Sequence, residues 1–197
     1  MFGDDLQEFA IQSYNNAPYL AAFITCGVKA AAADLIAQSQ SNQAMAKADE
    51  TISGSILYPS TINLPRNLAY VLYGGTYQGI TQEFLFNHTF PTIFGTATTF
   101  PTVAVKVAVD MLVLGPFVSL PMAYLTKSII YNHTPEEAIH RYSNDVKERN
   151  LLIKYWSIWC PVQFCTFSVI PEHMRIVFMA CISFFWLVIL SKESSME

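Results

Sequence analysis

The stretch from Trp156 to Ser191 limits what this chain can fold into more than any other. It reads WSIWCPVQFCTFSVIPEHMRIVFMACISFFWLVILS, thirty-six residues whose only Asp, Glu, Lys or Arg are Glu172 and Arg175 near the middle. A helix of roughly twenty apolar residues crosses hydrocarbon, so the stretch is too long for one ordinary span. Pro171 interrupts it beside the charged pair, which predicts two helices meeting at a bend. The alternative is a buried helix of a large soluble domain. Composition argues against it. Only 13% of the 197 residues are charged, against about a quarter in soluble domains. The apolar 52% comes in blocks, and mean hydropathy is +0.31.

A net charge of −4, with no basic patch interleaved with aromatics, gives no reason to expect nucleic acid as a partner. The start, MFGDDLQEFAIQSYNNAP, is acidic and has no Lys or Arg before Lys29. That fits neither a secretory signal nor a transit peptide, and leaves a removed presequence or internal targeting as the expectation. Cys26, Cys160, Cys165 and Cys181 all lie in apolar stretches at spacings that match no zinc or redox motif. They read as small buried apolar residues.

Taken in order, the chain predicts one membrane domain. Residues 4–14 form an amphipathic interfacial segment with Leu6, Phe9, Ala10 and Tyr14 on one side. Spans are expected at about 18–38, 66–90, 103–130 and 156–191. A polar loop covers 39–65, Phe90 to Pro101 connects the second and third spans, and a surface helix covers 135–154. The first span is rich in small residues (Gly27, Ala30, Ala31, Ala32, Ala33), and the second carries Gly74, Gly75 and Gly79, with Gly75 and Gly79 at G-x-x-x-G spacing. Small residues let helices approach closely in lipid. Pro116 and Pro121 are expected to kink the third span. Thr134-Pro135-Glu136-Glu137 is a helix start. The nearby His133, His140 and Glu137 read as a solvated face rather than a metal site. The third loop carries Lys127, Arg141, Lys147, Arg149 and Lys154, which by the positive-inside rule places the termini on the opposite side.

Ionisable groups inside a membrane cost roughly 2.5–3.5 kcal/mol each on insertion scales and need partners or water. The candidates are Lys29, Asp34, Glu83, Lys106, Asp110, Glu172 and Arg175. Lys106 and Asp110 stand four apart, on one helix face. These groups are expected to face the interior and to pair between helices; the alternative use is a polar pathway for ions or small metabolites.

The block from Trp159 onward resembles the Mpv-seventeen and peroxisomal-membrane-protein-twenty-two family of small organelle membrane proteins. Its signature is roughly W-P-x-x-Q-x-x-N-F-x-x-V-P-x-x-x-R, followed by an aromatic helix ending W-x-x-x-L-S. Trp159, Gln163, Phe167, Pro171 and Arg175 stand in register, then Trp186, Leu190 and Ser191. Upstream, Tyr14, Pro18, Gly27, Asp34 and Gln38 look like the family's first helix, Arg66, Gly74 and Gly79 like its second, and Lys106, Asp110 and Pro116 like its third. There are departures. Cys160 stands for the usual Pro, Thr166 for Asn, Met111 for Gln, Ala33 for Gly, Ile80 for Pro, and Glu83, Leu85 and Phe86 fall where H-x-W-Y is common.

The resemblance implies an all-α integral membrane bundle of about four transmembrane helices, the last stretch broken at Pro171, in the mitochondrial inner membrane or the peroxisomal membrane. It implies pore-like permeability as the family's activity. Motifs for acyl-transfer, phosphate-binding or zinc chemistry are absent from the sequence, so no catalysis, no metal and no cofactor is expected, with bound lipids as company. The departures remove polar and aromatic groups from the interior. They favour an accessory structural subunit of a large mitochondrial, respiratory-type complex, with other membrane subunits as partners. The alternative is a free-standing pore-like channel or transporter for small solutes.

Overall fold

The computed structural model describes Glu8, residues 11–52 and residues 62–193, with side chains placed at Glu8 and over 11–43 and 62–185. The helices are α1 (Pro18–Ile52), α2 (Leu64–Tyr73), α3 (Phe90–Phe94), α4 (Phe100–Val109), α5 (Leu120–Ile130), α6 (Pro135–Glu148), α7 (Leu151–Ser168) and α8 (Arg175–Glu193). Between them lie π-helical runs at Gly74–Thr81, Leu85–Thr89 and Asp110–Ser119, a short α-helical turn at Gln82–Phe84, and one 3-10 turn at Glu172–Met174. There is no strand among the described residues. The fold is therefore all-α, as expected. Pro18–Gln43 and Phe100–Ile130 are long and apolar enough to cross a membrane by length and composition. The stretch expected to span at 66–90 is also helical throughout.

The chain divides into two compact units, one formed up to Glu83 and again from Ile176, the other from Phe84 to Arg175. In the first unit, α1 continues to Ile52 through what the sequence suggests is a polar loop from Ser39. Residues 39–52 contain neither Gly nor Pro and are rich in Ala, Gln, Met, Lys and Glu, all good helix formers. The fall in hydropathy there marks where the helix leaves an apolar surrounding, while the backbone goes on. Residues 53–61 of that expected loop lie outside the described residues, as do Leu6, Phe9 and Ala10. Ile11–Asn16 is helical, and buried Tyr14 donates its hydroxyl to Thr25 Oγ1 at 3.0 Å.

The glycines of the second span press against α1. A Cβ on Gly74 would lie 2.6 Å from the Ala30 Cβ and 2.7 Å from the Cys26 carbonyl oxygen, and one on Gly79 would lie 2.5 Å from the Ala22 carbonyl oxygen. This is the close approach that small residues permit. On the outside, Leu20, Ile24 and Val28 of α1 and Leu64, Leu68 and Leu72 of α2 form exposed apolar rows at four-residue spacing. Such rows suit hydrocarbon rather than water.

In the second unit, the expected kinks at Pro116 and Pro121 take the form of the π-helical run Asp110–Ser119 leading into α5. The connection expected over Phe90–Pro101 is narrower: α3 occupies Phe90–Phe94, and the break falls at Gly95, with φ +81, to Thr99. The Thr134 hydroxyl accepts from the Glu137 N–H while the Glu137 carboxylate accepts from the Thr134 N–H, which starts α6. The surface helix expected over 135–154 ends at Glu148. Asn150 adopts a left-handed φ of 52, tolerable for Asn, so the following helix begins at Leu151 instead of Trp156. The helix is interrupted around Pro171 as expected, with α7 ending at Ser168 and α8 beginning at Arg175.

The cysteines are free. Cys26 alone is buried as expected; Cys160 is half-buried, and Cys165 and Cys181 are exposed on apolar helices.

Candidate functional site

The polar side chains of the apolar helices gather into a few compact clusters, each within one unit. In the first unit Asp34, 4% exposed, pairs its Oδ1 with Arg66 Nε of α2 at 2.9 Å. Its Oδ2 accepts from Gln38 Nε2 at 2.6 Å and from Asn67 Nδ2 at 3.1 Å. Gln38 in turn accepts from the Asn63 N–H at 2.7 Å and donates to the Asn63 carbonyl at 3.3 Å. Asn67 also donates to the Ala31 carbonyl at 3.0 Å. Asn63 caps α2 by accepting from the Arg66 N–H. One carboxylate thus joins α1 to α2 through a charged and two neutral donors. Asp34, Gln38 and Arg66, singled out separately in the sequence, meet here; Asn63 and Asn67 were not anticipated. Lys29 finds no carboxylate among its hydrogen-bond partners. It donates to Gln78 Oε1 and to Ser183 Oγ at 3.2 Å. Glu83 is buried.

In the second unit Arg175 is the centre. Its Nη1 donates to the Phe86 carbonyl and to Asn87 Oδ1, both at 3.1 Å, and its Nε donates to the Thr166 carbonyl at 3.3 Å. The guanidinium lies 5.6 Å from the centroid of the Phe167 ring, and Phe167 packs edge-on against Phe86. Glu172 accompanies it at 3.5 Å but is half exposed. Asn87 closes the loop by donating to the Glu172 carbonyl at 2.9 Å. Lys106, 2% exposed, has no hydrogen-bond or ion-pair partner among the described residues, and its charge interacts with Arg175 and Glu172. The face it shares with Asp110 in sequence does not become a pair among the described residues; Asp110 is buried, with Gln163 of α7 near it.

Three contacts in this unit share one cause. In an i→i+5 helix the N–H of residue n bonds the carbonyl of residue n−5, and proline has no N–H to give. The register is seen directly in the bonds from the Phe90 N–H to the Leu85 carbonyl and from the Leu120 N–H to the Gly115 carbonyl. Pro91, Pro116 and Pro121 therefore leave the carbonyls of Phe86, Met111 and Pro116 without helical donors. Each is filled from elsewhere: Phe86 by the Arg175 guanidinium, Met111 by the Trp156 indole N–H at 2.8 Å, and Pro116 by the Tyr142 hydroxyl at 2.6 Å. Burial pushes the Tyr142 hydroxyl above the usual tyrosine range, which keeps its proton available for this bond. Trp156 and Tyr142 were not anticipated as functional positions. The prolines signal which carbonyls lose a donor, but nothing in the sequence says which side chain arrives.

The other positions that carry the resemblance are spread along the helices. Pro18 opens α1 and Pro171 precedes the 3-10 turn. A Cβ on Gly27 would meet Val71 at an ordinary 3.5 Å. The Trp159 and Tyr155 rings meet at a tilt, with centroids 6.2 Å apart, and Phe167 is fully buried. Trp186 lies in α8, with its side chain outside those described. Around α6, His133 pairs with Glu137 at 3.2 Å, and no group of metal-ligating side chains occurs among the described residues.

Helices of membrane-spanning length and polar residues gathered inside them define an all-α membrane protein. The sequence model of the Mpv17 / PMP22 family matches residues 128–191, which makes the resemblance of the C-terminal block a finding. The chain is 29% identical over 93 residues to Protein SYM1 of Eremothecium gossypii, covering 47% of this chain and 50% of the relative. Against Protein SYM1 of Debaryomyces hansenii the figures are 30% over 81 residues, 41% and 39%. Against that of Mycosarcoma maydis they are 31% over 98 residues, 47% and 45%. The chain spans half or less of the length of these curated relatives. No solved structure matches.

Proposed function

We propose that this chain is a non-catalytic organelle membrane protein acting as a structural subunit of a larger membrane assembly, with the mitochondrial inner membrane as its place and lipids and other membrane subunits as its partners. The observation that carries this reading is the use made of the interior polar groups. Asp34 and Arg175 each bind three or more protein groups, most of them from neighbouring segments. A side chain whose hydrogen-bonding capacity is filled by the protein fixes helix positions and is not free to coordinate a passing solute. The exposed apolar rows of α1 and α2 supply surfaces for lipid or for partner helices.

Native electrophoresis of the organelle membrane in mild detergent, with mass spectrometry of the co-migrating chains, tests it. Co-migration with a large defined complex is the expected result. Migration as a monomer or small homo-oligomer contradicts it and returns the pore-like reading. That second reading draws support from Lys106, a buried cation without a hydrogen-bond partner among the described residues, and is tested by solute flux through vesicles carrying Glu83→Gln or Asp110→Asn.

A further inference from the structure

The third span ends in a helical hairpin. α5 and α6 are joined by the short turn 131–134, in which Asn132 takes a left-handed φ of 55. Two contacts fix how the helices face each other. The Tyr124 hydroxyl donates to Asp145 Oδ2, and the Tyr124 and Tyr142 rings meet edge-on at 5.4 Å. Between the helices lies a cleft of about 570 Å³, a size that ligand sites of about 300–1,000 Å³ share. On α6 and its C-cap it is lined by Arg141, Asp145, Glu148 and Arg149, at the i, i+4, i+7 and i+8 spacing of one helix face. On α5, Tyr124 and Lys127 stand one turn apart in the other wall.

The charges in this cleft are unequally used. Asp145 is taken twice, by Tyr124 and by Arg149 at 3.4 Å. Glu137, one turn before Arg141, is held by His133 Nδ1 and by the Thr134 N–H. Lys127 has no hydrogen-bond or ion-pair partner among the described residues. Arg141 reaches only the His133 ring among them, Nη2 to Nε2 at 3.5 Å. Lys127 lies one turn beyond Tyr124, and Arg141 one turn before Asp145. The helices of a hairpin run in opposite directions, so the Tyr124–Asp145 bond brings Lys127 and Arg141 to the same level, toward the turn. The other carboxylate of the cleft, Glu148, stands seven residues past Arg141, about 10 Å further along the axis at roughly 1.5 Å per residue. Two cations therefore share one end of the cleft with no carboxylate set between them. Like charges held together repel, and an anion between them turns that repulsion into attraction.

We propose that this cleft binds a phosphate group between Lys127 and Arg141, presented by the headgroup of an anionic phospholipid or by a soluble phosphate ester. A guanidinium takes two phosphate oxygens side by side, and an ammonium adds a point charge to a third. The cleft's place favours the lipid. It lies where Phe100–Ile130, a helix long and apolar enough to cross a membrane, comes to its end, and basic pockets at such ends suit anionic headgroups. Ile129 and Ile139, on the same two helices, are exposed, and apolar side chains at that depth suit acyl chains. This inference adds a site to the proposed function and rests only on the membrane setting, not on the role as a subunit.

Isothermal titration of the full chain in a neutral detergent, with dioctanoyl phosphatidylglycerol and separately with glycerol phosphate, tests it. Saturable binding is expected, weakened about fivefold or more by Lys127→Gln and by Arg141→Gln. Lys147→Gln removes the same charge from α6 outside the cleft and should leave binding nearly unchanged. Tighter binding of the lipid assigns the phosphate to a headgroup, and equal binding of glycerol phosphate assigns it to a soluble ester; either supports the site. Lys127 and Arg141 are both exposed, so the variants should fold, and if one does not, the other decides. Binding of neither probe overturns the proposal. So does a loss in Lys147→Gln as large as in the two cleft variants, which would show a diffuse positive surface instead of a site. Neither result depends on what the chain co-migrates with, so the site and the subunit reading fail separately.

Discussion

The indole N–H of Trp156 donates to the main-chain carbonyl of Met111 at 2.8 Å, the carbonyl from which Pro116 withholds its donor. The bond joins α7 to the π-helical run of the third span, and it exists because a proline sits five residues after its acceptor. Trp156→Phe keeps the ring and deletes the donor. It should destabilise the protein by about 1–3 kcal/mol, the cost of leaving a buried acceptor unfilled. In a Pro116→Ala background the helix supplies its own N–H, so the same change should cost clearly less. Unfolding in mixed micelles across this double-mutant cycle measures the difference; equal costs in both backgrounds would show that the indole acts by packing alone.

Tyr142→Phe makes the same test at the Pro116 carbonyl, which Pro121 leaves without a donor. A loss of about 1–3 kcal/mol is expected. Because burial raises the hydroxyl's pKa in the folded chain, its contribution is full below the unfolded tyrosine pKa of about 10 and fades as pH climbs through the folded value. The alkaline limb of stability should therefore be flatter in Tyr142→Phe than in the wild type. Parallel limbs would contradict this.

Arg175 serves the carbonyls of Phe86 and Thr166 and the side chain of Asn87 from one planar guanidinium. A lysine ammonium cannot reproduce that spread of donors. Arg175→Lys should leave at least one carbonyl unfilled, at about 1–3 kcal/mol, despite keeping the charge. If Arg175→Lys were as stable as the wild type in micelle unfolding, charge alone would explain the residue.

In the first unit, Arg66→Gln removes the charged partner of a nearly buried carboxylate. Breaking a buried pair costs about 3–5 kcal/mol, and the low end applies because Arg66 keeps some contact with solvent. Asp34→Asn should cost less, since it takes the charge away with the pair. Thermal unfolding in detergent would rank the two, and the reverse order would count against this account of the cluster.

Gly79→Ala should destabilise by about 1–3 kcal/mol because its Cβ meets the backbone of Ala22, which cannot yield as a flexible side chain would. Gly27→Ala should be tolerated, since its Cβ would meet Val71 at an ordinary distance. Helix content and stability of the two variants give the comparison, and equal losses would contradict the proposed close approach.

How far the sequence carried is visible in these residues. Asp34 was legible because a charged group in an apolar helix needs a partner, Gln38 and Arg66 from the resemblance to the family's first two helices, and the small residues at Gly74 and Gly79 marked a close approach. The break at Pro171 was legible from proline beside charge. The loop boundary at Ser39 was not, since hydropathy follows the surroundings of a helix and not its backbone. Lys106 and Asp110 stood on one face in sequence, yet they form no pair among the described residues. Trp156, Tyr142, Asn63 and Asn67 escaped notice because much of what they bind is main chain, which every residue possesses and no motif records.

The central claim is that the interior polar groups hold helices together and do not line a pathway. Permeability of vesicles containing the purified chain, for the wild type, Arg66→Gln and Arg175→Lys, tests it most directly. The account predicts that all three match protein-free vesicles while the two variants unfold more readily. A wild-type flux that either variant alters without losing stability would contradict it.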